Sequence, residues 1–323
     1  MKKILLIGAG FIGTNFYKLF KDKYNIVILD NFSYPCTLTN GLWDMDNPQV
    51  YKADLMFGDG LRQTIEFEKP DYIINMAAQS HVDRSIHDEI LDDTFLISNT
   101  LGVERLLKLI RGTQIRLVHF STDEVYGDLD YDDGYEFEED EMLKPNSPYS
   151  ASKAAADMMV NAYHKTYGMD VVTVRPTNNY GPYQYPEKLI PFIIKRIAEG
   201  KTIPIYGDGK NEREWLYVDD CCRAVELVMV DGISGEVYNI GSGLNNRNSN
   251  VYIAGQLNGS NDNFEYVEDR PGHDKKYAVN SNKIKALGWE PKMDLKEGLQ
   301  ITLSWYIQRL DLVKSMEANK HIK

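Results

Sequence analysis

Short apolar runs rich in β-branched residues recur along the first half of the chain, at 4–7, 26–29, 72–75, 117–120 and 171–174. Stretches of helical length lie between them. Such runs, without polar alternation, suit strands buried on both faces, and strands alternating with helices form a parallel sheet covered on each side. The spacing predicts helices over 14–20, 92–110 and 150–167; in the second, Phe95, Leu96, Val103, Leu106, Leu107 and Ile110 recur at helical intervals. After Arg175 and Pro176 the texture changes to loop chemistry rich in Gly, Pro and Asn, as at 178–182 and 206–209. A strand then a helix over 216–229, and a strand over 236–240, predict that the chain returns to the first domain before leaving it again. The expected boundaries are 1–176 for the first domain, with a return segment at about 215–240, and 177–323 for most of a smaller second domain.

Composition narrows the function classes. With 323 residues and 43% hydrophobic positions, the chain can build a sizeable core and does not read as a long disordered tail. A formal charge of −12 argues against a nucleic-acid or anionic-membrane surface, because neutralising phosphates needs clustered Lys and Arg. Any phosphate ligand must meet a local basic site. No apolar run approaches the roughly 20 residues that span a bilayer. Met1-Lys2-Lys3 and the apolar residues after it superficially resemble a secretory signal, yet the same segment opens a nucleotide-binding pattern. The cysteines, Cys36 and the adjacent Cys221 and Cys222, supply neither a disulfide framework nor the spaced pairs of a zinc site. The expectation is a cytoplasmic protein without a metal. Residues 128–141 form an acidic stretch that reads as a solvated connection.

Gly8-Ala9-Gly10-Phe11-Ile12-Gly13 fits G-x-G-x-x-G between a strand and a helix. Glycines there let the backbone approach a pyrophosphate, whose charge meets the free N–H groups and positive dipole of the helix N-terminus. Asp30 ends the second strand, where a carboxylate accepts hydrogen bonds from the adenosine ribose and repels the extra phosphate of NADP. The predicted cofactor is therefore NAD, on a Rossmann-type doubly wound parallel sheet of the α/β class. Asp54 and Leu55 follow the third strand, where a polar side chain can meet the adenine amine. Ala77 and Ala78 follow the fourth, at the edge where ligands lie in such sheets. Tyr149 and Lys153 form a Y-x-x-x-K pair, one turn apart on one helix face. A neighbouring ammonium lowers a phenol's pKa, which suits a base that deprotonates a hydroxyl. Asp123 and Glu124 are consecutive carboxyls. They share a pocket only if the strand has ended before them, and a shared closed pocket drives their pKa values apart into one acid and one base.

The chain resembles the nucleoside-diphosphate-glucose 4,6-dehydratases, extended short-chain dehydrogenases/reductases, from residue 4 through Trp289. The resemblance rests on 77–85 (AAQSHVDRS), 121–127 (STDEVYG), 178–183 (NNYGPY), 186–191 (PEKLIP), 215–220 (WLYVDD) and 269–274 (DRPGHD). It implies a nucleotide-sugar substrate, dTDP-glucose first and UDP-glucose next, dehydrated to the 4-keto-6-deoxy product. Tyr149 would take the 4-hydroxyl proton with Thr122 holding that oxygen, Glu124 would take the C5 proton, and Asp123 would protonate the departing C6 hydroxyl. Ser85, Asn99 and Asn178 match positions lining the substrate and cofactor pockets, with Asn99 and Asn178 assigned to the cofactor. Asn179, Lys188, Leu189, Pro204, Tyr206, Arg213, Asn250, Arg270 and His273 match positions that cradle the nucleotide and its diphosphate. The resemblance further implies a homodimer joined by helices near 92–110 and 150–167.

Several positions depart from the family pattern. Ile7 stands where members carry their first glycine, so the turn must close on Gly8 and Gly10. Ser33-Tyr34-Pro35-Cys36-Thr37 replaces a common Thr-Tyr-Ala-Gly-Asn, Gln79 replaces a Glu, and 245–262 is compressed and Asn-rich. Two rivals remain. A 4-epimerase or decarboxylase of the same fold has no use for both Asp123 and Glu124. A non-catalytic NAD-binding sensor would be expected to lose Tyr149, Lys153 or the carboxyl pair, all of which are present.

Overall fold

The computed structural model describes residues 1–33, 36–39, 41, 43–46, 48–87, 92–131, 134–243 and 246–318. Tyr34, Pro35, Asp132, Asp133 and Asn245, named above, lie outside the described residues. The strands in chain order are β1 (Lys3–Ile7), β2 (Asn25–Asp30), β3 (Gln49–Lys52), β4 (Tyr72–Asn75), β5 (Arg116–Phe120), β6 (Val171–Pro176), β7 (Asn178–Tyr180), β8 (Ile203–Tyr206), β9 (Glu212–Tyr217), β10 (Val237–Ile240), β11 (Arg247–Ser249) and β12 (Phe264–Val267). Seven of them form a parallel sheet in the order β10-β6-β5-β4-β1-β2-β3. The five apolar runs are its inner strands. β3 has no buried residue and sits at the edge, which is why no apolar run marks it.

Two apolar layers cover this sheet. On one face Phe16 and Tyr17 from Phe11–Phe20 pack with Val225, Val228 and Met229 from Val218–Asp231. On the other, Val103, Leu106, Leu107 and Ile110 from Gly102–Ile110 pack with Ala156 and Val160 from Pro148–Tyr167. Each such aliphatic side chain contributes about 1.5–3 kcal/mol by leaving water. β10 pairs with β6, while β9 belongs to a separate three-stranded sheet, β11-β9-β7. A third apolar cluster, including Ile190, Ile194, Trp215 and Ile253, lies under that sheet.

Two local expectations are refined. The helix expected over 92–110 runs as Asp92–Phe95, a π-helical Leu96–Leu101, then Gly102–Ile110. A π segment is a local bulge within a helical run, with i→i+5 bonds in place of the α period. Here Asn99 is buried, accepting from the Gln79 N–H at 2.8 Å and donating to the Ser152 hydroxyl at 2.9 Å. The acidic stretch 128–141 is largely solvated, as expected, but it is also pinned to distant residues. Leu129 and Phe137 bridge to Lys276 and Val279, Glu139 accepts from the Asn239 N–H at 3.0 Å, and Glu136 pairs with Arg247 at 2.7 Å. Charge accounts for the exposure, whereas these partners lie far along the chain and leave no local pattern.

Candidate active site

Sheet order places β1 between β2 and β4, so the chain leaves the two inner neighbours β1 and β4 in opposite directions and opens a crevice at their C-terminal ends. A cavity of about 300 Å³ occupies this crevice. Gly8 turns the chain out of β1 at φ +103°, and a Cβ there would lie 2.9 Å from the Ala77 nitrogen. Ile7, the departure noted above, stays inside the sheet and accepts the Met76 N–H at 2.9 Å. A Cβ on Gly13 would lie 2.0 Å from the Gly8 carbonyl, whereas one on Gly10 would meet nothing within 4 Å. Gly10 caps Phe11–Phe20 with no side-chain bond, leaving a helix N-terminus open beside the cavity. Asp30 accepts from the Ala9 N–H and the Phe32 N–H, both at 2.7 Å. It therefore braces the glycine turn as well as facing the crevice.

The chemical groups gather at the far end. β5 stops at Phe120, and Asp123–Tyr126 forms one 3₁₀ turn capped by Thr122, whose hydroxyl accepts the Glu124 N–H at 3.3 Å. Gly127 leaves this turn at φ +95°, where a Cβ would lie 2.4 Å from the Lys144 carbonyl. The turn puts both carboxyls at the cavity, which a continued strand would forbid. Ser147 starts Pro148–Tyr167 through a reciprocal cap with Ser150, with Pro148 in the first turn. That helix carries Tyr149 and Lys153 into the cavity wall.

Burial, then the charge of Glu124, pushes the Asp123 carboxyl well above the usual carboxylate range, and Oδ2 is buried without a hydrogen-bond partner. Burial also raises Glu124, but the nearby charges of Arg270, Arg213 and Lys188 pull it back. Both carboxyls are thus held above their ordinary range by burial, and each faces charges that the fold brings close. Tyr149 differs from the expectation. The Lys153 ammonium donates to the Phe120 carbonyl, while burial and the Glu124 and Asp123 charges hold the phenol above its ordinary range. Helical spacing placed the ammonium nearby but not the competing carbonyl and carboxylates.

Gly8, Gly10, Phe11, Ile12, Gly13, Asp30, Asp54, Leu55, Ala77, Ala78, Thr122, Asp123, Glu124, Tyr149, Lys153, Asn178, Asn179 and Lys188 all line the cavity. Asn178 Oδ1 is buried and without a protein partner. Asn99 stands behind the wall, clasping Gln79. Ser85 donates to the Val82 carbonyl at 2.6 Å inside its own helix, and Leu189 packs on the apolar cluster of the smaller region. Pro204 and Tyr206 lie on β8 and Asn250 begins Asn250–Asn258, all outside the cavity lining. Arg213, Arg270 and His273 also lie outside it, but the two arginines act on Glu124. Arg270 pairs with Asp83 at 2.8 Å, His273 with Asp269 at 2.6 Å, and the Tyr206 and His273 rings meet edge-on. Residue reading missed Asn31, Ser33, Thr177, Gln184, Tyr185 and Glu187 in the lining. Asn31 and Thr177 follow β2 and β6, so the rule that ligands meet parallel strand ends would have found them. Gln184, Tyr185 and Glu187 arrive on a crossing segment that no such rule marks.

Among the described residues, no helix is long and apolar enough to cross a membrane, and no group of three His, Cys, Asp or Glu residues is placed to hold a metal ion. Comparison with known proteins gives a consistent kinship. Residues 7–302 match the GDP-mannose 4,6 dehydratase family. A low-salt glycan biosynthesis protein of Haloferax volcanii is 43% identical over 307 residues, 93% of this chain and 96% of its own. The solved dTDP-glucose 4,6-dehydratase of Bacillus anthracis in complex with NAD superposes with a TM-score of 0.87 at 40% identity, covering 98% of this chain and 100% of that one. The dTDP-glucose 4,6-dehydratase of Streptomyces venezuelae, also with NAD bound, gives a TM-score of 0.89 at 38% identity over 97% and 99%. The chain belongs to the GDP-mannose 4,6 dehydratase family, among relatives that include the dTDP-glucose 4,6-dehydratases.

Proposed function

We propose that this chain is an NAD-dependent hydro-lyase that converts a nucleoside-diphosphate-glucose, dTDP-glucose first and UDP-glucose next, to its 4-keto-6-deoxy form. The observation that carries the reading is the Asp123–Glu124 pair on a tight turn beside Tyr149, in one cavity with the glycine turn. A 4-epimerase needs the tyrosine but no second acid and base. The family kinship and the NAD-bound relatives support the same reading.

The residues present fit a dinucleotide: an uncapped helix N-terminus for the pyrophosphate, an open cradle at Gly10, and the Asp30 carboxylate for the ribose. NAD, when bound, supplies a hydride acceptor for C4 and returns that hydride to C6. Thr122 holds the 4-hydroxyl oxygen, and Tyr149 takes its proton. Lys153, one helical turn on, places an ammonium in the same cavity wall, against the burial and the carboxylates that hold the phenol up. The new ketone acidifies C5, so Glu124 can remove that proton and, once the hydride is back on C6, a solvent-exchanged proton returns to C5. Asp123, kept protonated by burial, delivers its proton to the departing C6 hydroxyl, a poor leaving group as hydroxide. Lys188, Arg213 and Arg270 provide the local positive charge that a sugar diphosphate requires in a chain of charge −12, and His273 offers a ring N–H. The reading includes a cytoplasmic homodimer; support comes from Leu96, Leu101 and Met158, exposed on the helices that would join it.

The decisive experiment incubates the protein with NAD and dTDP-glucose or UDP-glucose in heavy water and follows the sugar by NMR. A 4-keto-6-deoxy product carrying deuterium at C5 is expected. A 4-epimer as sole product, or a C5 without label, removes the dehydratase reading. Cofactor choice has its own test. Asp30→Ser should weaken NAD about tenfold or more by losing a charged hydrogen-bond acceptor, and should narrow the preference over NADP. Calorimetric titration with both nucleotides measures this, and an unaltered NAD affinity would contradict the role given to Asp30.

A further inference from the structure

The short segment after β4 holds two cations that arrive from the second region. The Ser80 carbonyl accepts from the Lys188 ammonium at 2.6 Å, and the Asp83 carboxylate pairs with Arg270 Nη1 at 2.8 Å. These partners are 108 and 187 positions away along the chain. Between them, His81 Nε2 lies 3.6 Å from the Glu187 carboxylate. Lys188 lines the cavity, and the charge of Arg270 reaches Glu124 there. The steps above give Asp83 no part.

Arg270 stands on the turn that follows β12, and the backbone of that turn is fixed locally. The Asp269 carboxylate accepts the Arg270 N–H at 2.8 Å and lies 2.6 Å from His273 Nδ1, while a Cβ on Gly207 would lie 2.9 Å from Asp269 Oδ2. What such a turn leaves undetermined is the direction of the long Arg270 side chain. Asp83 sets it. Their contact uses Nη1, across the guanidinium from the Nε–H edge, and Nε is buried with no hydrogen-bond partner. A buried donor left unpaired costs free energy that an acceptor recovers. A phosphate oxygen is such an acceptor, and the planar fork can give one edge to a carboxylate and the other to phosphate. Burial would raise the Asp83 carboxyl, but the Arg270 hydrogen bond and charge hold it below its ordinary range, so it stays ionised. Its side chain is 32% exposed, and solvent therefore damps its repulsion of an anion on the far edge of Arg270. Orientation of the arginine is the larger effect.

We propose that Asp83 is a positioning residue for the substrate: it holds Arg270 so that the buried Nε edge meets the diphosphate of the sugar nucleotide. The proposal rests on the reading of a sugar-diphosphate substrate, but its test needs no turnover. The full chain loaded with NAD is titrated calorimetrically with dTDP, with UDP and with inorganic pyrophosphate. Asp83→Asn should raise the Kd of each by about tenfold, the upper cost of ordering one long side chain on binding. NAD affinity should be unaltered, which shows that the variant is folded. Asp83→Glu should recover most of the loss. Arg270→Met should weaken binding more than Asp83→Asn does, and adding Asp83→Asn to it should cost nothing further, because Asp83 acts only through Arg270. A merely structural defect would add to the loss. Unchanged or tighter binding in Asp83→Asn, or losses that add in the double variant, overturns the proposal. A wild type that binds pyrophosphate with this dependence on Asp83, but neither nucleoside diphosphate, overturns the substrate reading and leaves the positioning in place. A wild type that binds none of the three overturns both.

Discussion

Glu124→Gln is expected to lower kcat for sugar-nucleotide dehydration by about 10³-fold, within the ~10²–10⁴ range that a positioned general base contributes. The amide keeps the side chain's shape on the capped 3₁₀ turn but cannot accept the C5 proton. NAD affinity should stay within about twofold, because the glycine turn and Asp30 lie at the ends of β1 and β2 while Glu124 follows β5. Oxidation at C4 precedes the step that Glu124 serves. Stopped-flow absorbance should therefore show reduced cofactor accumulating in the variant on adding substrate. The pH profile gives a second readout. Burial raises the Glu124 pKa, so the wild-type rate should climb with pH along an acid limb lying above the ordinary glutamate value of 4.5. That limb should vanish in the variant. Elimination at the wild-type rate would remove Glu124 from the base role.

Arg175→Met is expected to be the most destabilising single change among the groups discussed, costing about 3–5 kcal/mol, because it leaves the Asp157 carboxylate buried with only a neutral imidazole beside it. For a chain of this size that corresponds to a fall in Tm of roughly 5–10 °C. Adding Asp157→Asn should recover most of the loss, since two opposite charges then leave the interior together. The sign of the pH dependence follows from Asp157. Its folded pKa, about 2, lies below the ordinary 3.8, so its contribution is fully present above pH 4 and is lost as pH falls toward 2. The gap between wild type and Arg175→Met should therefore be widest near neutrality and narrow on acidification. Thermal unfolding at pH 7 and pH 3 measures both. Equal Tm values at pH 7 would mean that Arg175 and Asp157 are not coupled.

Much of this site is legible along the chain because its parts are local. Gly8 to Gly13, Asp30, and Tyr149 with Lys153 each act within one turn or at one strand end, and spacing alone puts their groups on a common face. The five inner strands are legible for a related reason. Burial on both faces leaves an unbroken apolar run, whereas the edge strand Gln49–Lys52 carries no such mark.

Other features depend on residues that meet only in the folded chain. The π segment at Leu96–Leu101 carries Asn99, which reaches Gln79 and Ser152, 20 and 53 positions away. Gln184, Tyr185 and Glu187 join the cavity from a crossing segment. Asp157 is bound by His119 and Arg175 from two different strands, and nothing in its helix announces either partner.

The sequence by itself determined the doubly wound sheet, the dinucleotide turn and which side chains are the acid–base candidates, since these follow from local periodicity and side-chain type. Tertiary structure alone decided how those groups are charged. The raised Asp123 and Glu124 carboxyls, the raised Tyr149 phenol and the ionised Asp157 all arise from desolvation and from charges brought close by the fold. Both effects depend on distance through space, which linear spacing does not record.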